Sequence, residues 1–191
     1  MSTCHGIRRA LPVMGALAMG ALVLAASERR PSPNPVGPSS TIPQPVTVEL
    51  IAEQRSLQPA GTTRVGVHFK LEPGWHIYAE QPGDAGLPTQ VRWSSPVAVV
   101  FEPLRWPHPE QFVDPGNITT FGYTGSTVLS STLHGTPSKV LSASVPVHAD
   151  VRWLACKEVC VPGSATLDLT LRVSTEVPAF SAHAELFDHA N

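Results

Sequence analysis

The run from Val145 to Val173, VPVHADVRWLACKEVCVPGSATLDLTLRV, decides the fold of this chain. In its first half Val145, Val147, Ala149, Val151 and Trp153 alternate with His148, Asp150 and Arg152. In its second half Leu167, Leu169, Leu171 and Val173 alternate with Asp168, Thr170 and Arg172. A period of two is the signature of strands with one buried face. Between the halves, Cys156 and Cys160 bracket Lys157-Glu158-Val159, and Val161-Pro162-Gly163 follows. Three intervening residues suffice to reverse the chain. They bring the two sulfurs within bonding reach if the Cα atoms approach to within about 7 Å.

The same period extends outward. Val65, Val67, Phe69 and Leu71 alternate with Gly66, His68 and Lys70, and Val91 and Trp93 flank Arg92. Turn signals punctuate the runs at Glu72-Pro73-Gly74, Gln81-Pro82-Gly83-Asp84 and Asp114-Pro115-Gly116-Asn117. No stretch between Val46 and Val173 carries a helical period. Short strands at close spacing predict an all-β, immunoglobulin-like antiparallel sandwich.

The amino terminus predicts export. Arg8 and Arg9 precede an uncharged stretch from Ala10 to Ser27 that closes on Leu24-Ala25-Ala26-Ser27. A basic start, an apolar centre and small residues at the end make a cleaved secretory signal over residues 1–27. The alternative, a retained anchor, needs about 20 apolar residues, and Pro12 and glycines interrupt this run. Residues 28–45 form a proline-rich spacer, with six prolines between Pro31 and Pro45. Such composition builds no core. A sandwich domain is expected over 46–175 and a tail over 176–191, either one short helix or no fixed structure.

Cys4 lies ahead of the apolar centre and is lost with the signal. Only Cys156 and Cys160 then remain, an even number in a compartment that permits disulfides. Loss of Arg8 and Arg9 leaves 11 basic against 15 acidic residues. That balance gives no footprint for nucleic acid or an anionic membrane surface. A disulfide across so short a loop contributes only about 2 kcal/mol by chain entropy. A sandwich with an ample core hardly needs it, while tight or exposed disulfides tend to be the labile, catalytic ones. Lys157 favours a thiolate at Cys156 and Glu158 opposes it. Cys156 also falls in phase with the polar set of its strand, so its sulfur is expected to face away from the core, within a partner's reach.

The stretch from Trp153 to Gly163 resembles the cysteine motif of the amino-terminal periplasmic domain of the DsbD thiol:disulfide interchange family. Pro73-Gly74-Trp75-His76-Ile77-Tyr78 and Phe121-Gly122-Tyr123-Thr124-Gly125, with Trp106-Pro107-His108-Pro109 before the latter, resemble it too. Together these span roughly Val46 to Val173 in the family's order. The resemblance implies an immunoglobulin-like periplasmic domain, monomeric and free of cofactors. Its cysteine pair would take electrons from a transmembrane thiol reductase and pass them to periplasmic thioredoxin-fold proteins. By position, Cys156 and Cys160 become the redox pair, with Cys160 the one that meets partners. His76 and Tyr78 fall beside the sulfurs, and Phe121 or Tyr123 falls where an aromatic cap covers them. The three-residue cysteine spacing is shorter than in the best-known members. The chain also lacks the family's transmembrane and thioredoxin-like domains, so those partners are expected to act in trans.

Two other readings use the same cysteines. One is a Cu(I)-binding module, since C-x-x-x-C followed by proline, with a distant histidine, resembles the copper site of Sco-type chaperones, and soft thiolates suit that ion. There the motif opens a helix early in a thioredoxin-like fold, whereas here it joins two strands near the end. His68, His76, His108, His134 and His148 show no ligand spacing. The other is a binding domain with an inert structural disulfide. No Ser-His-acid grouping and no glycine-rich phosphate loop stands out.

Overall fold

Alternation along the chain becomes burial in the computed structural model, which describes residues 44–136 and 143–188. The expectations for the export signal and nearly all of the spacer lie outside the described residues. Among the described residues eleven strands follow in order: β1 (Val46–Ala52), β2 (Ser56–Leu57), β3 (Thr62–Leu71), β4 (His76–Gly83), β5 (Gln90–Ser94), β6 (Val99–Phe101), β7 (Glu110–Asp114), β8 (Ile118–Thr124), β9 (Ser126–Gly135), β10 (Ser144–Cys156) and β11 (Cys160–Val173). Among the described residues no helix is long and apolar enough to cross a membrane.

One sheet has the order β1-β3-β9-β6. The other runs β2-β11-β10-β4-β8-β7, with β5 pairing β10 as well. β10 therefore shares one edge between two neighbours: β5 lies along His148 to Arg152, and β4 takes over at Ala155 and Cys156. All pairings are antiparallel except the short one between β2 and β11. The fold is the expected immunoglobulin-like sandwich.

The faces match the sequence pattern. Val65, Val67 and Phe69 of β3 and Val145, Val147, Ala149, Val151 and Trp153 of β10 all point into the core between the sheets. Burying each of the larger aliphatic and aromatic side chains contributes about 1.5–3 kcal/mol. Phe69 meets Trp153 edge-on across the interface, with ring centroids 5.9 Å apart. Trp153 has Gly163 opposite it on β11, where a side chain would collide with the indole. The Trp and Gly of the cysteine segment are thus one packing unit.

The segment after β11 is a docked strap. The amides of Arg55 and Ser181 donate to Ala179 O and Glu53 O, at 3.0 and 2.8 Å. A single 3-10 turn (Ala184–Phe187) then drops Phe187, fully buried, against Ile51 and Val128. Arg64 closes the latch, bonding Glu53 at 2.7 Å, Asp188 at 3.0 Å and Phe187 O at 2.8 Å.

Near the strap, His68 is buried on the outer face of β3. Its Nε2 lies 2.8 Å from Ser126 Oγ, and its Nδ1 has no hydrogen-bond partner among the described residues. Burial, reinforced by Lys70 and His183 against the opposing pull of Glu49, lowers its pKa below the ordinary 6.5. The unfolded chain therefore takes up a proton that the folded one refuses. The contribution of His68 to stability is fully present above pH 6.5, falls as pH drops below it, and levels off beneath the lowered value. Urea titrations at pH 7.5 and 5.5 should show a smaller stability loss on acidification in His68→Gln than in the native chain. An equal loss in both would remove His68 from the account.

Candidate functional site

At the far end of the second sheet, β10 finishes on Cys156 and β11 begins on Cys160. The two are directly opposed, 4.1 Å apart at Cα, and joined as a disulfide. Cys156 shares the phase of Asp150 and Arg152, so its sulfur lies on the face away from the core. It is nevertheless only 3% exposed, while Cys160 is open to solvent. The expectation that a partner reaches Cys156 is corrected: the accessible cysteine is Cys160.

The cover over Cys156 comes from β4. His76 lies opposite Cys156 in the ladder, and Tyr78, two residues on, falls on the same face. The Tyr78 hydroxyl donates to Cys156 Sγ at 3.3 Å. The His76 ring meets Tyr78 edge-on at 5.1 Å and stacks on Phe112 of β7 at 4.8 Å. The loop after β4 presses on the other side of the tyrosine. Gly86 has a φ of +98°, and a Cβ there would sit 2.3 Å from a Tyr78 ring carbon, so only glycine permits the approach. The hairpin tip is tied down too, by Lys157 Nζ donating to Pro73 O at 3.3 Å. The Pro73-to-Tyr78 stretch therefore supplies a turn, two polar aromatic neighbours of the sulfur and an anchor for the cysteine loop.

The other aromatic motif goes elsewhere. β8 pairs with β4 so that Ile77 faces Tyr123 and Tyr78 faces Gly122. Tyr123 and Phe121 consequently share the core-facing side with Ile77. Tyr123 is buried and donates to Pro107 O at 2.9 Å. Desolvation, with Glu80 nearby, pushes its hydroxyl up to about 12, so it remains a neutral donor. Phe121 packs against the core and, with Trp106 and Tyr123, lines a cleft of about 640 Å³. The register places neither ring on the disulfide face, which corrects the sequence-based cap. Phe112, which sequence reasoning missed, is the aromatic that reaches the site. It lies opposite Thr120 in the β7–β8 ladder, in phase with Gly122 and hence with Tyr78. Only cross-strand register carries that signal.

Chemically, the pair is asymmetric. Attack by an incoming thiolate is open at Cys160 and blocked at Cys156, which is then the leaving sulfur. A hydrogen bond to the charged form favours it, so the Tyr78 hydroxyl stabilises the departing thiolate. Among the described residues, no group of three or more His, Cys, Asp or Glu side chains is placed to hold a metal ion.

An antiparallel sandwich with an exposed and a covered cysteine joined at the end of one sheet defines a class: a thiol–disulfide exchange domain. The chain belongs to the family of the N-terminal domain of the thiol:disulfide interchange protein DsbD, whose model matches residues 44–172. Its fold is similar to the N-terminal periplasmic domain of ScsB from Proteus mirabilis, at 23% identity and a TM-score of 0.54. That match covers 77% of this chain and 52% of the other, so this chain spans about half its length. A lesser likeness is to the reduced DsbD N-terminal domain of Neisseria meningitidis, with 13% identity and a TM-score of 0.38. It covers 64% of this chain and 86% of that one. No curated protein sequence matches.

Proposed function

We propose that this chain is a periplasmic electron-transfer domain, exported by its amino-terminal signal, that works through the Cys156–Cys160 pair. It accepts two electrons from a transmembrane thiol reductase and delivers them to thioredoxin-fold proteins. The observation that carries the reading is the asymmetry of the pair: Cys160 is exposed, and Cys156 is buried under a hydroxyl that bonds its sulfur. An inert staple needs neither feature.

In the delivering step the Cys160 thiolate attacks the partner's disulfide, forming a mixed disulfide and releasing one partner thiolate. Cys156 then attacks Cys160 Sγ, closing the intramolecular bond and releasing the second partner thiol. The domain loses two electrons and the partner gains them. His76 and Tyr78 position and polarise the resolving sulfur. Phe112, stacked on His76, serves as the lid on the side of Cys156, the covered sulfur.

Alkylation of Cys156 in a Cys160→Ser background tests the lid. Adding Phe112→Ala should raise that rate by roughly tenfold, the kinetic equivalent of about 1.4 kcal/mol of lost protection. Phe121→Ala, altered on the opposite face, should leave the rate unchanged. Acceleration by Phe121→Ala and not by Phe112→Ala would return the lid to β8.

A further inference from the structure

β11 leaves Cys160 as an edge strand. β10 lies on one side of it along its whole length, but on the other side β2 pairs only with Arg172 and Val173. From Cys160 to Leu171 that second side has no strand partner among the described residues. The direction in which each backbone group points follows from the hydrogen bonds at the two ends. The amides of Lys157 and Val173 donate to Val159 O and Ala143 O, which puts the odd-numbered residues in the hydrogen-bonded pairs of the β10–β11 ladder. Ser174, an even number, donates instead to Leu57 O on the opposite side. By the alternation of an antiparallel ladder, Cys160, Pro162, Ser164 and Thr166 turn their backbone groups outward.

We infer that the open edge of β11 at Cys160 is a docking strand, to which an extended, cysteine-bearing segment of the redox partner adds as a further strand. The inference rests on the exchange function proposed above. Cys160 offers its own N–H and C=O to such a segment. A residue paired with it there would stand about 5.5 Å away at Cα. Disulfides span Cα separations of about 4.4–6.8 Å, so the register that satisfies the backbone also seats the partner's sulfur for transfer. Val159, next to Cys160 and 65% exposed, offers apolar contact at this end, and Leu87, 63% exposed, lines a cleft with Pro162 and Gly163. Pro162 has no amide to offer, and Asp168 puts a charge further along. Proline and charge on an edge blunt indiscriminate pairing of two copies and confine productive pairing to the neighbourhood of Cys160. In the transfer itself the partner's thiolate bonds Cys160 Sγ as the Cys156–Cys160 bond breaks, and Cys156 leaves as the thiolate.

Three capped pentapeptide thiols with the sequence Thr-Val-Cys-Val-Thr test this. One is unmodified, one is N-methylated at its cysteine, and one is N-methylated at the valine that follows. Each is first normalised by its rate with a small aromatic disulfide. Against the oxidised domain, the cysteine-methylated peptide should form the mixed disulfide about fivefold more slowly, having lost one backbone bond to Cys160. The valine-methylated peptide, whose altered amide faces away, should match the unmodified one. In parallel, an unmodified peptide with serine for cysteine should slow hydrogen exchange of the Cys160 amide and leave that of Ser164, four residues along and beyond the peptide's reach, unchanged. Equal rates for all three peptides with no protection would overturn the docking strand and leave the exchange function standing. Protection without any thiol exchange would keep the docking strand and remove the redox reading.

Discussion

Treated with oxidised glutathione, reduced Cys156→Ser should accumulate a stable mixed disulfide at Cys160, whereas Cys160→Ser should remain almost unmodified. The expected rate ratio is on the order of a hundredfold, a barrier difference of about 2.7 kcal/mol. The reason is geometric. Cys160 is exposed, while Cys156 is 3% exposed, beneath His76 and bonded by the Tyr78 hydroxyl. Without Cys156 nothing resolves the adduct on Cys160. With a thioredoxin-fold partner in place of glutathione, the same variant should trap a covalent complex that reductant dissolves. Mass spectrometry of the intact variants reads the outcome directly. Equal labelling of the two would mean that the cover over Cys156 does not control access, and the assigned order of attack would fall.

The second large effect is expected at Gly122, between Phe121 and Tyr123. β8 runs so close to β4 here that a Cβ on Gly122 would lie 2.1 Å from the backbone oxygen of Ile77. A backbone atom in a ladder has little freedom to retreat, unlike the end of a flexible side chain. Gly122→Ala should therefore cost about 3 kcal/mol, the upper end for overpacking. It should also separate β8 from β4 at Tyr78, loosening the hydroxyl from Cys156. Urea unfolding should show the stability loss, and dithiothreitol should reduce the variant more slowly than the native chain, because the departing Cys156 thiolate loses its hydrogen bond. A native-like midpoint would mean that the strands slide apart without strain and that Gly122 does not hold this register.

These two predictions draw unequally on the sequence. Which face of each strand is buried was legible, because alternation is local: Val145 to Trp153 and Val65 to Leu71 carry it within a few residues. The cysteine hairpin was legible for the same reason, whereas the position of His76 and Tyr78 beside it came only from the family resemblance. Register between distant strands was not. Phe121 and Tyr123 look like site aromatics until Ile77 is found opposite Tyr123, which turns both toward the core. Phe112 sits in a short edge strand without strong alternation, and only its pairing with Thr120 reveals that it reaches His76. Burial of Cys156 was hidden likewise. Strand phase tells which way a sulfur points but not that the Tyr78 hydroxyl covers it, with Gly86 against the tyrosine ring and Phe112 stacked on His76 beside it. The docking of the carboxyl-terminal strap escaped because Phe187 is a lone aromatic in an aperiodic segment, and its seat is built from Ile51 and Val128 far away in sequence.

The central claim is that Cys156–Cys160 is a working redox pair rather than a fixed brace. Its reduction potential, measured by equilibration with glutathione buffers and alkylation of the freed thiols, tests that most directly. The account predicts a potential less negative than about −300 mV, within reach of physiological thiols. A value below about −300 mV would make the bond resistant to that pool and would contradict the account, leaving an inert structural disulfide.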